Sequence, residues 1–584
     1  MPPQRFPCAN NGADKACNKA GRFACKNCMV VAYCGPECQK EHWSTHKQDC
    51  RSFYMKKHWQ PGWVLECRRP EFINEEKSTP VGGRQYLWGN TPAIDVLQLE
   101  KNEGKRYKKD LSLLFAASGD LRNVVKTLAC LPEAYKQTIN ITINDWDLDV
   151  VARNVMLILI ALTVNDAKEA ADKMTHLWYS ASIRQSDLDY LVTKIRPFIA
   201  QVCAHIGAKP EGTPLAKTWT FGSRRVRLVL KKGSWMSLLR RFEVPGTLTL
   251  QQARDIRVAV TLASGAQQDF RERHYLVRPP AHRICEEKYR ADGLMLPFGA
   301  SREPFTIPNP QVQGCTRSHA HVADTIRRTI YHKAPHWPGR EMDDPLAGWE
   351  ATEVMKTNSG AASSDLYGKM YYHIQDVFKK FHHRIRNQDV TFQLYNVNAE
   401  ILPKTLKKER FARIDASTFV SNIADKDYLG FQKTLETLSP LLQQQAQNPH
   451  ATMLMLFINA VGDTMVASDQ FDEVQKAAAT AHKYLPHPQE PPFEYGAEFI
   501  RFIVAGRLFR NFDMYFNRYM EANRFMFNGF CSTMIMKDEH TIVDQWPHRL
   551  KLKVGEEGAQ EEFNIRVESM QSGDERYVEW KSLK

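Results

Sequence analysis

The strongest chemical signal in the sequence is a cluster of cysteines near its start. Seven of the 13 cysteines lie within the first 50 residues, and one histidine completes a set of eight candidate metal ligands. The C-x2-C spacing lets two thiolates in one turn reach the same ion, and residues four apart share one face of a helix. Eight such ligands are enough for two tetrahedral zinc ions, so we predict two zinc sites. The set consists of Cys8, Cys17, Cys25, Cys28, Cys34, Cys38, His46 and Cys50.

The stretch CKNCMVVAYCGPECQKEHWSTHKQDC, which ends in H-x3-C, resembles the MYND zinc finger, and the resemblance covers residues 8–50. It departs from the family at the first pair, because eight residues separate Cys8 from Cys17 where the family usually has two. The resemblance implies protein partners, bound through short proline-containing peptides. His42 is expected to be a surface histidine, because His46 has the closing H-x3-C spacing. The resemblance also implies interleaved ligands, with Cys8, Cys17, Cys34 and Cys38 on the first ion and Cys25, Cys28, His46 and Cys50 on the second.

A second candidate site lies where the chain alternates between strand and helix patterns. Gly119 and Asp120 end the apolar run DLSLLFAASGD, Asp145 ends TINITIND, and Asn398 ends VTFQLYNVN. Ligands of parallel α/β sheets bind at the carboxyl ends of the strands. The layout resembles a class I methyltransferase core of the Rossmann type. That resemblance implies S-adenosylmethionine near Gly119 and Asp120, with its ribose on Asp145 and its adenine near Asn398.

The same turn also has a purely structural interpretation. A working cofactor loop usually carries several glycines, whereas AASGD offers only Gly119. Asp120 and Asp145 are equally suited to capping the helices that follow them. We therefore favour a body without catalysis and keep an S-adenosylmethionine-dependent protein methyltransferase as the alternative.

Three sequence segments resemble a domain of unknown function of fungal MYND proteins. They are LWGNTPAIDVL, LLFAASGDLRNVVKTL and ITINDWDLDVVARNVMLILIAL. An axonemal dynein assembly factor carries a related domain. The resemblance is clear over residues 86–165 and looser beyond them. It implies a helper role in the assembly of other proteins.

The pattern of predicted strands and helices that must position these residues indicates an α/β protein. A small cross-braced two-zinc finger precedes a Rossmann-like parallel sheet that is interrupted by a large helical insert and followed by an α+β part. Strands are expected at 110–116, 138–145, 390–398, 409–418 and near YVEWK, and 451–461 is a strand or a buried helix. Helices are expected at 121–131, 146–162, 167–180, 185–206, 249–264, 317–333, 364–384 and 494–527. The predicted segments are the finger (1–55), a linker (56–84), the first half of the sheet domain (85–165), a mainly helical insert (166–388), the second half (389–465) and a C-terminal region (466–584).

A basic stretch could serve a different function. Residues 223–241 carry seven Arg or Lys and no acid, in a chain whose net charge is +13. With Trp235 among them, they could bind nucleic acid or an acidic partner. Alternating basic and apolar residues are equally typical of the exposed strand of a hairpin, which we favour.

Composition excludes several classes of protein. Hydrophobic residues make up 43% and charged residues 25%, as in ordinary globular proteins. The longest apolar run, residues 155–164, is too short for a bilayer that needs about 20 residues. The N-terminus lacks the apolar core of a signal peptide, so we expect an intracellular protein, cytoplasmic and/or nuclear. His319, His321, His382 and His383 lack metal spacing, and Cys67, Cys130, Cys203, Cys285, Cys315 and Cys531 are expected to be ordinary thiols.

Overall fold

The computed structural model describes residues 6–12, 17–73, 87–244, 246, 248–311, 337–416, 429–485, 495–569 and 571–584. Part of the predicted linker, the predicted helix at 317–333, His319, His321, Cys315 and the end of the predicted strand 409–418 lie outside these residues.

The finger is a two-stranded sheet followed by one helix. Strands β1 (Phe23–Ala24) and β2 (Ala32–Tyr33) pair antiparallel, and helix α1 (Pro36–Cys50) follows. Pro36 occupies the first turn of α1, where its missing N–H costs nothing. The last turn of this helix carries both His46 and Cys50, which are buried.

The later strands alternate with helices along the chain. The strands are β3 (Leu111–Phe115), β4 (Ile139–Asn144), β5 (Ser182–Ile183), β6 (Pro214–Phe221), β7 (Arg224–Lys231), β8 (Ile307–Pro308), β9 (Val390–Tyr395), β10 (Arg413–Asp415), β11 (Thr452–Phe457), β12 (Met534–Met536) and β13 (Arg576–Ser582). The helices are α2 (Gly62–Leu65), α3 (Arg122–Cys130), α4 (Leu148–Thr163), α5 (Ala167–Tyr179), α6 (Gln185–Tyr190), α7 (Arg196–His205), α8 (Lys232–Arg240), α9 (Leu250–Thr261), α10 (Ala266–Tyr275), α11 (Pro280–Asp292), α12 (Ala351–Lys356), α13 (Leu366–Arg386), α14 (Leu402–Thr405), α15 (Gly430–Leu438), α16 (Ala460–Thr464), α17 (Ala467–Ala481), α18 (Ala497–Gly506), α19 (Asp513–Ala522), α20 (Phe525–Cys531) and α21 (Ala559–Glu568).

One large mixed sheet organises the body. Within the described ranges, nine strands form it in the order β12-β13-β11-β10-β3-β4-β9-β7-β6. The central strands from β11 to β7 run parallel, whereas β13 runs antiparallel to β11 and β6 antiparallel to β7. The α/β class predicted from the sequence is confirmed.

The main core lies on one side of this sheet. Leu113, Ile141 and Phe392 of neighbouring strands are buried there. They belong to the same apolar cluster as residues of α3, α4, α5 and α13. Helix α4 is almost wholly buried, which explains its run of aliphatic residues. A second cluster covers the opposite side around β10 and β11.

Several elements differ in detail from the sequence-based predictions. Within the segment 451–461, left open between strand and helix, residues Thr452–Phe457 form β11 and α16 begins at Ala460. The aromatic region 494–527 is divided among α18, α19 and α20. Within the segment predicted as mainly helical, β6 and β7 form a hairpin that joins the large sheet beside β9.

Across the described ranges, no helix combines the length and the apolar character needed to span a membrane.

Candidate metal centre and the neighbouring turn

The first group of candidate ligands assembles where β2 meets α1. Cys8, Cys17, Cys34 and Cys38 place their sulphur atoms within 4.8 Å of one another. The sulphur of Cys34 lies 3.6 Å from that of Cys17 and 3.5 Å from that of Cys38. Tetrahedral zinc with bonds of about 2.3 Å separates its sulphur ligands by about 3.8 Å. The group therefore fits one zinc ion.

The second group lies at the other end of α1 and is more deeply buried. Cys25, Cys28, His46 and Cys50 also meet within 4.8 Å. The sulphurs of Cys25 and Cys50 are 3.7 Å apart, and Nε2 of His46 lies 3.4 Å from the sulphur of Cys28. Three sulphurs and one imidazole nitrogen match the ligand set of a structural zinc site. The two zinc sites predicted for this region are thus supported by two ligand sets of the right chemistry.

The electrostatics of these groups favour a bound cation. Burial, together with the nearby charges of Cys25 and Cys50, raises the pKa of the Cys28 thiol well above its ordinary value. The hydrogen bond with Cys38 raises the pKa of Cys34 to about 12. Burial lowers the pKa of His46 to about 4, which keeps the imidazole neutral and able to ligate. Thiols crowded in this way become thiolates when a metal ion supplies the compensating charge.

A hydrogen bond that the sequence did not reveal supports the second group. The side-chain amide of Asn27 donates to the sulphur of Cys50 at 3.2 Å and to its carbonyl oxygen at 3.0 Å. Such bonds orient a ligand and delocalise thiolate charge. Asn27 lies between the ligands Cys25 and Cys28 in the sequence, and this position could have identified it as a supporting residue. His42, expected at the surface, is half-buried, and its Nδ1 lies 3.0 Å from the Tyr33 hydroxyl.

The finger packs directly against the body. Ala9 and Val31 approach Gly299 so closely that a Cβ atom there would lie 2.8 Å from the Cβ of Ala9. The side chain of Asn11 donates to the Gly299 carbonyl at 2.9 Å. The amide of Ser364 donates to the carbonyl of Met29 at 3.0 Å. The ligands Cys8, Cys25, Cys28 and Cys50 consequently belong to the main apolar core of the body.

The turn after β3 contains two of the predicted cofactor residues in contact with each other. The amide of Gly119 donates to Oδ2 of Asp145 at 2.8 Å. Oδ1 of the same carboxylate accepts from the amide of Asp147 at 2.9 Å. The Asp145 side chain is therefore turned inward and is buried, and burial raises its pKa to about 7.

The other two predicted cofactor residues have structural partners. Asp120 is buried, accepts from the amide of Gly89 at 2.9 Å and pairs with Arg122. Asn398 is exposed and caps the short helical turn that begins at Ala399, accepting from the amide of Glu400 at 2.9 Å.

The side chain of Asn144, which the sequence did not single out, joins the ends of three strands. Its amide nitrogen donates to the carbonyls of Ala116 at 2.9 Å and Val397 at 3.1 Å. Its Oδ1 accepts from the amide of Val397 at 3.2 Å. The ends of β3, β4 and β9 are thereby held together.

The basic stretch divides between two elements. Arg225, Arg227 and Lys231 are exposed on β7, while α8 buries Trp235 completely, so that this ring cannot stack on a base. His382 is buried and its Nε2 lies 2.9 Å from the Val164 carbonyl. Of the remaining cysteines that the structure describes, Cys203 and Cys285 are buried and Cys67, Cys130 and Cys531 are exposed.

Comparison with known proteins supports the metal centre. Residues 8–50 match the family model of the MYND finger, and residues 87–183 match that of a domain of unknown function, DUF4470. Tudor domain-containing protein 1 of Oryzias latipes is 43% identical over 37 residues, which make up 6% of this chain and 3% of that protein. No solved structure matches the chain. The N-terminal segment is thus a zinc-binding MYND finger, a module that generally mediates protein interaction.

Proposed function

We propose that this protein is a zinc-dependent adaptor that binds partner proteins through its MYND finger and uses its α/β body as a rigid, non-catalytic support. The observation that carries the proposal is the pair of converging ligand sets in a finger docked on the body. A finger without the metal has almost no core of its own. Zinc therefore controls whether the binding surface exists.

The surface available to a partner is the outer side of the finger. Phe23 on β1 is 62% exposed, which is unusual for so large an apolar side chain. Trp43 on α1 is half-buried and stacks with the guanidinium of Arg51 at 5.5 Å. Apolar and aromatic groups of this kind suit the short proline-containing peptides that MYND fingers bind. We propose such peptides as the ligands of this surface.

The body resembles a methyltransferase in topology more than in chemistry. With β7 left aside, the parallel strands lie in the order β9-β4-β3-β10-β11, which is 3-2-1-4-5 in chain order, as in doubly wound sheets. Strand β7 adds a further parallel strand beside β9. Beyond β11 the sheet continues with β13, which runs antiparallel to it. The turn that would hold the cofactor is instead closed by the bond between Gly119 and Asp145. These observations support a body that contributes shape and stability.

The cellular role follows from these two parts. A site of reduced thiolates suits a reducing compartment, and we propose an intracellular protein, cytoplasmic and/or nuclear. The resemblance of residues 86–165 to a domain of a dynein assembly factor supports a helper role in the assembly of other proteins.

Affinity purification of the full chain tests the adaptor proposal. Phe23→Ser removes the exposed ring without touching a metal ligand, whereas Cys25→Ala removes a ligand from the second group. We expect both variants to lose the same set of partner proteins, and Phe23→Ser to keep both zinc ions. Leu65→Ser, which alters another exposed apolar residue at 62% exposure, is the matched control and should keep the partners. Retention of all partners by both finger variants would exclude the adaptor role.

The methyltransferase alternative rests on the strand order and is tested separately. Isothermal titration of the full chain with S-adenosylmethionine should show binding that Asp145→Ala abolishes if the site is active. Absence of binding at millimolar ligand would remove this alternative and leave the adaptor proposal standing.

A further inference from the structure

One side of the large sheet carries polar residues over β4, β9, β7 and β6, and these residues become exposed towards β7 and β6. Parallel sheets normally have helices on both sides and apolar residues throughout. Strands β4, β9 and β7 are parallel here, and α3, α4, α5 and α13 all pack in the main core on one side of them. The apolar cover of the opposite side includes Leu114 of β3 and Ile414 of β10, and it reaches Tyr395 at the end of β9.

Polar residues form two straight rows across this side. The register aligns Ser112, Asn140, Thr391, Arg225 and Thr220 in one row across β3, β4, β9, β7 and β6. The next row on the same side contains Thr142, Gln393, Arg227 and Thr218. Adjacent residues of a row lie on strands about 4.8 Å apart, so their side chains form one continuous surface. We call this surface, made of these nine residues, the polar face.

The polar face is accessible at its basic end. Arg225, Arg227, Thr218 and Thr220 are exposed. Ser112, Asn140, Thr391 and Gln393 are half-buried, and Thr142 is fully buried. Within the residues that the structure describes, no carboxylate lies within ion-pair distance of Arg225. The exposed hydroxyl and guanidinium groups of the hairpin β6–β7 thus continue the half-buried hydroxyl and amide groups of β4 and β9.

A neighbouring loop adds further positive charge. The segment between β9 and β10 places Glu409 beside Gln393, Thr142 and Arg227. Burial raises the pKa of Glu409, and hydrogen bonds with Gln393 and Thr142 and the charge of Arg227 oppose that rise. Lys407, Lys408 and Arg410 flank Glu409 and are exposed. One carboxylate thus lies among several cations, which leaves the polar face and its border basic.

The chemistry of the polar face favours a carboxylate-bearing protein over a nucleic acid. Single-stranded nucleic acids are held by aromatic rings on which bases stack. The rows contain no aromatic side chain, and Tyr395 in the adjoining row is 6% exposed. Guanidinium groups pair bidentately with carboxylates, and Thr, Asn and Gln can satisfy the polar groups of a polypeptide. We propose that the polar face binds an acidic segment of a partner protein, independently of the finger.

Fluorescence anisotropy of the zinc-loaded full chain tests this proposal. The probes are a labelled peptide of alternating Glu and Ser and a labelled single-stranded oligouridine. The variant Arg225→Glu/Arg227→Glu reverses the charge of the polar face. Lys168→Glu/Lys476→Glu makes the same change of net charge at exposed positions of α5 and α17 and is the matched control.

We expect the acidic peptide to bind, with an affinity that falls as salt increases and drops by about tenfold or more in the Arg225→Glu/Arg227→Glu variant. The control variant should bind within about twofold of the original chain, as expected for charges outside the contact. Arg225→Gln/Arg227→Gln, which removes charge with less disturbance, should give an intermediate loss. Equal loss in the control variant would overturn the proposal, as would tighter binding of the oligouridine through the same arginines or no peptide binding at low salt.

Discussion

The amide of Gly119 donates a hydrogen bond to the carboxylate of Asp145 at 2.8 Å. This bond connects the ends of β3 and β4, and it uses the groups that a cofactor would otherwise contact. Gly119 adopts a φ of 61°, which favours glycine and lets its amide point at the carboxylate. Because Asp145 also accepts from the Asp147 amide, both of its oxygens are occupied. The hydrogen bonds of Asp145 therefore stabilise the turn itself.

The burial of Asp145 predicts a specific pH dependence of the protein's stability. An aspartate in the unfolded chain ionises near pH 3.9, whereas burial raises the pKa of Asp145 in the folded protein to about 7. Between these values the folded state retains a proton that the unfolded state has lost, so the free energy of unfolding falls as pH rises. The slope approaches about 1.4 kcal/mol for each pH unit.

The substitution Asp145→Asn introduces a side chain that cannot ionise. It therefore removes the pH dependence of stability that Asp145 contributes. We expect its stability relative to the original chain to increase as pH rises from about 4 to about 7 and to level off above that range. Urea unfolding at several pH values measures the difference, with Asp376→Asn, a change at an exposed carboxylate of α13, as control. A stability difference that does not vary with pH would contradict the assignment.

The sequence predicted best those elements whose residues repeat with a clear period. The apolar run Leu111–Phe115 and the β-branched run Ile139–Asn144 are strands as expected, because both are buried in the sheet. The hairpin β6–β7 was expected only as an exposed edge, and its pairing with β9 was not foreseen. That pairing joins residues more than 150 positions apart, and no local pattern specifies it.

The candidate site was predictable where chemistry fixes the spacing. Thiolates and imidazole at zinc spacing identified the metal centre, since a tetrahedral ion imposes short and regular distances. The spacing does not show that the finger packs on Gly299, because that contact depends on shape complementarity between distant segments. It also could not show that Asp145 is buried, which depends on where the following helix lies.

Removal of zinc should destabilise more than the finger. Zinc contributes about 10–16 kcal/mol to small finger modules, and the finger here shares an apolar core with the body. We expect elemental analysis to find two zinc ions per chain, as the two ligand groups imply. A strong chelator should lower the melting temperature of the whole protein. Cys67→Ser, at an exposed cysteine outside both groups, should change neither result. Zinc content of zero in protein purified without chelators would refute the metal centre.

The hydrogen bond from Asn27 to Cys50 should tune the affinity for zinc. Asn27→Ala removes a donor to the ligand sulphur at 3.2 Å and leaves all four ligands of that group in place. We expect zinc affinity at one of the two sites to fall by about tenfold, as for other residues that orient metal ligands. Competition with a chromophoric chelator measures both sites. The adjacent exposed residue provides the control, Lys26→Ala, and equal affinities in the two variants would argue against the role of Asn27.

The contact at Gly299 should determine whether the finger stays docked. A side chain at this position would meet the Cβ of Ala9 at 2.8 Å and Val31 at 3.4 Å, so Gly299→Leu cannot be accommodated without separating the finger from the body. Overpacking of this kind costs about 1–3 kcal/mol. We expect faster proteolysis between the finger and the body, with two zinc ions still bound. Gly462→Leu, at an exposed position of α16 with no atom within 4 Å of the added Cβ, should leave the proteolysis rate unchanged. Similar cleavage rates in the two variants would mean that the Gly299 contact does not hold the finger in place.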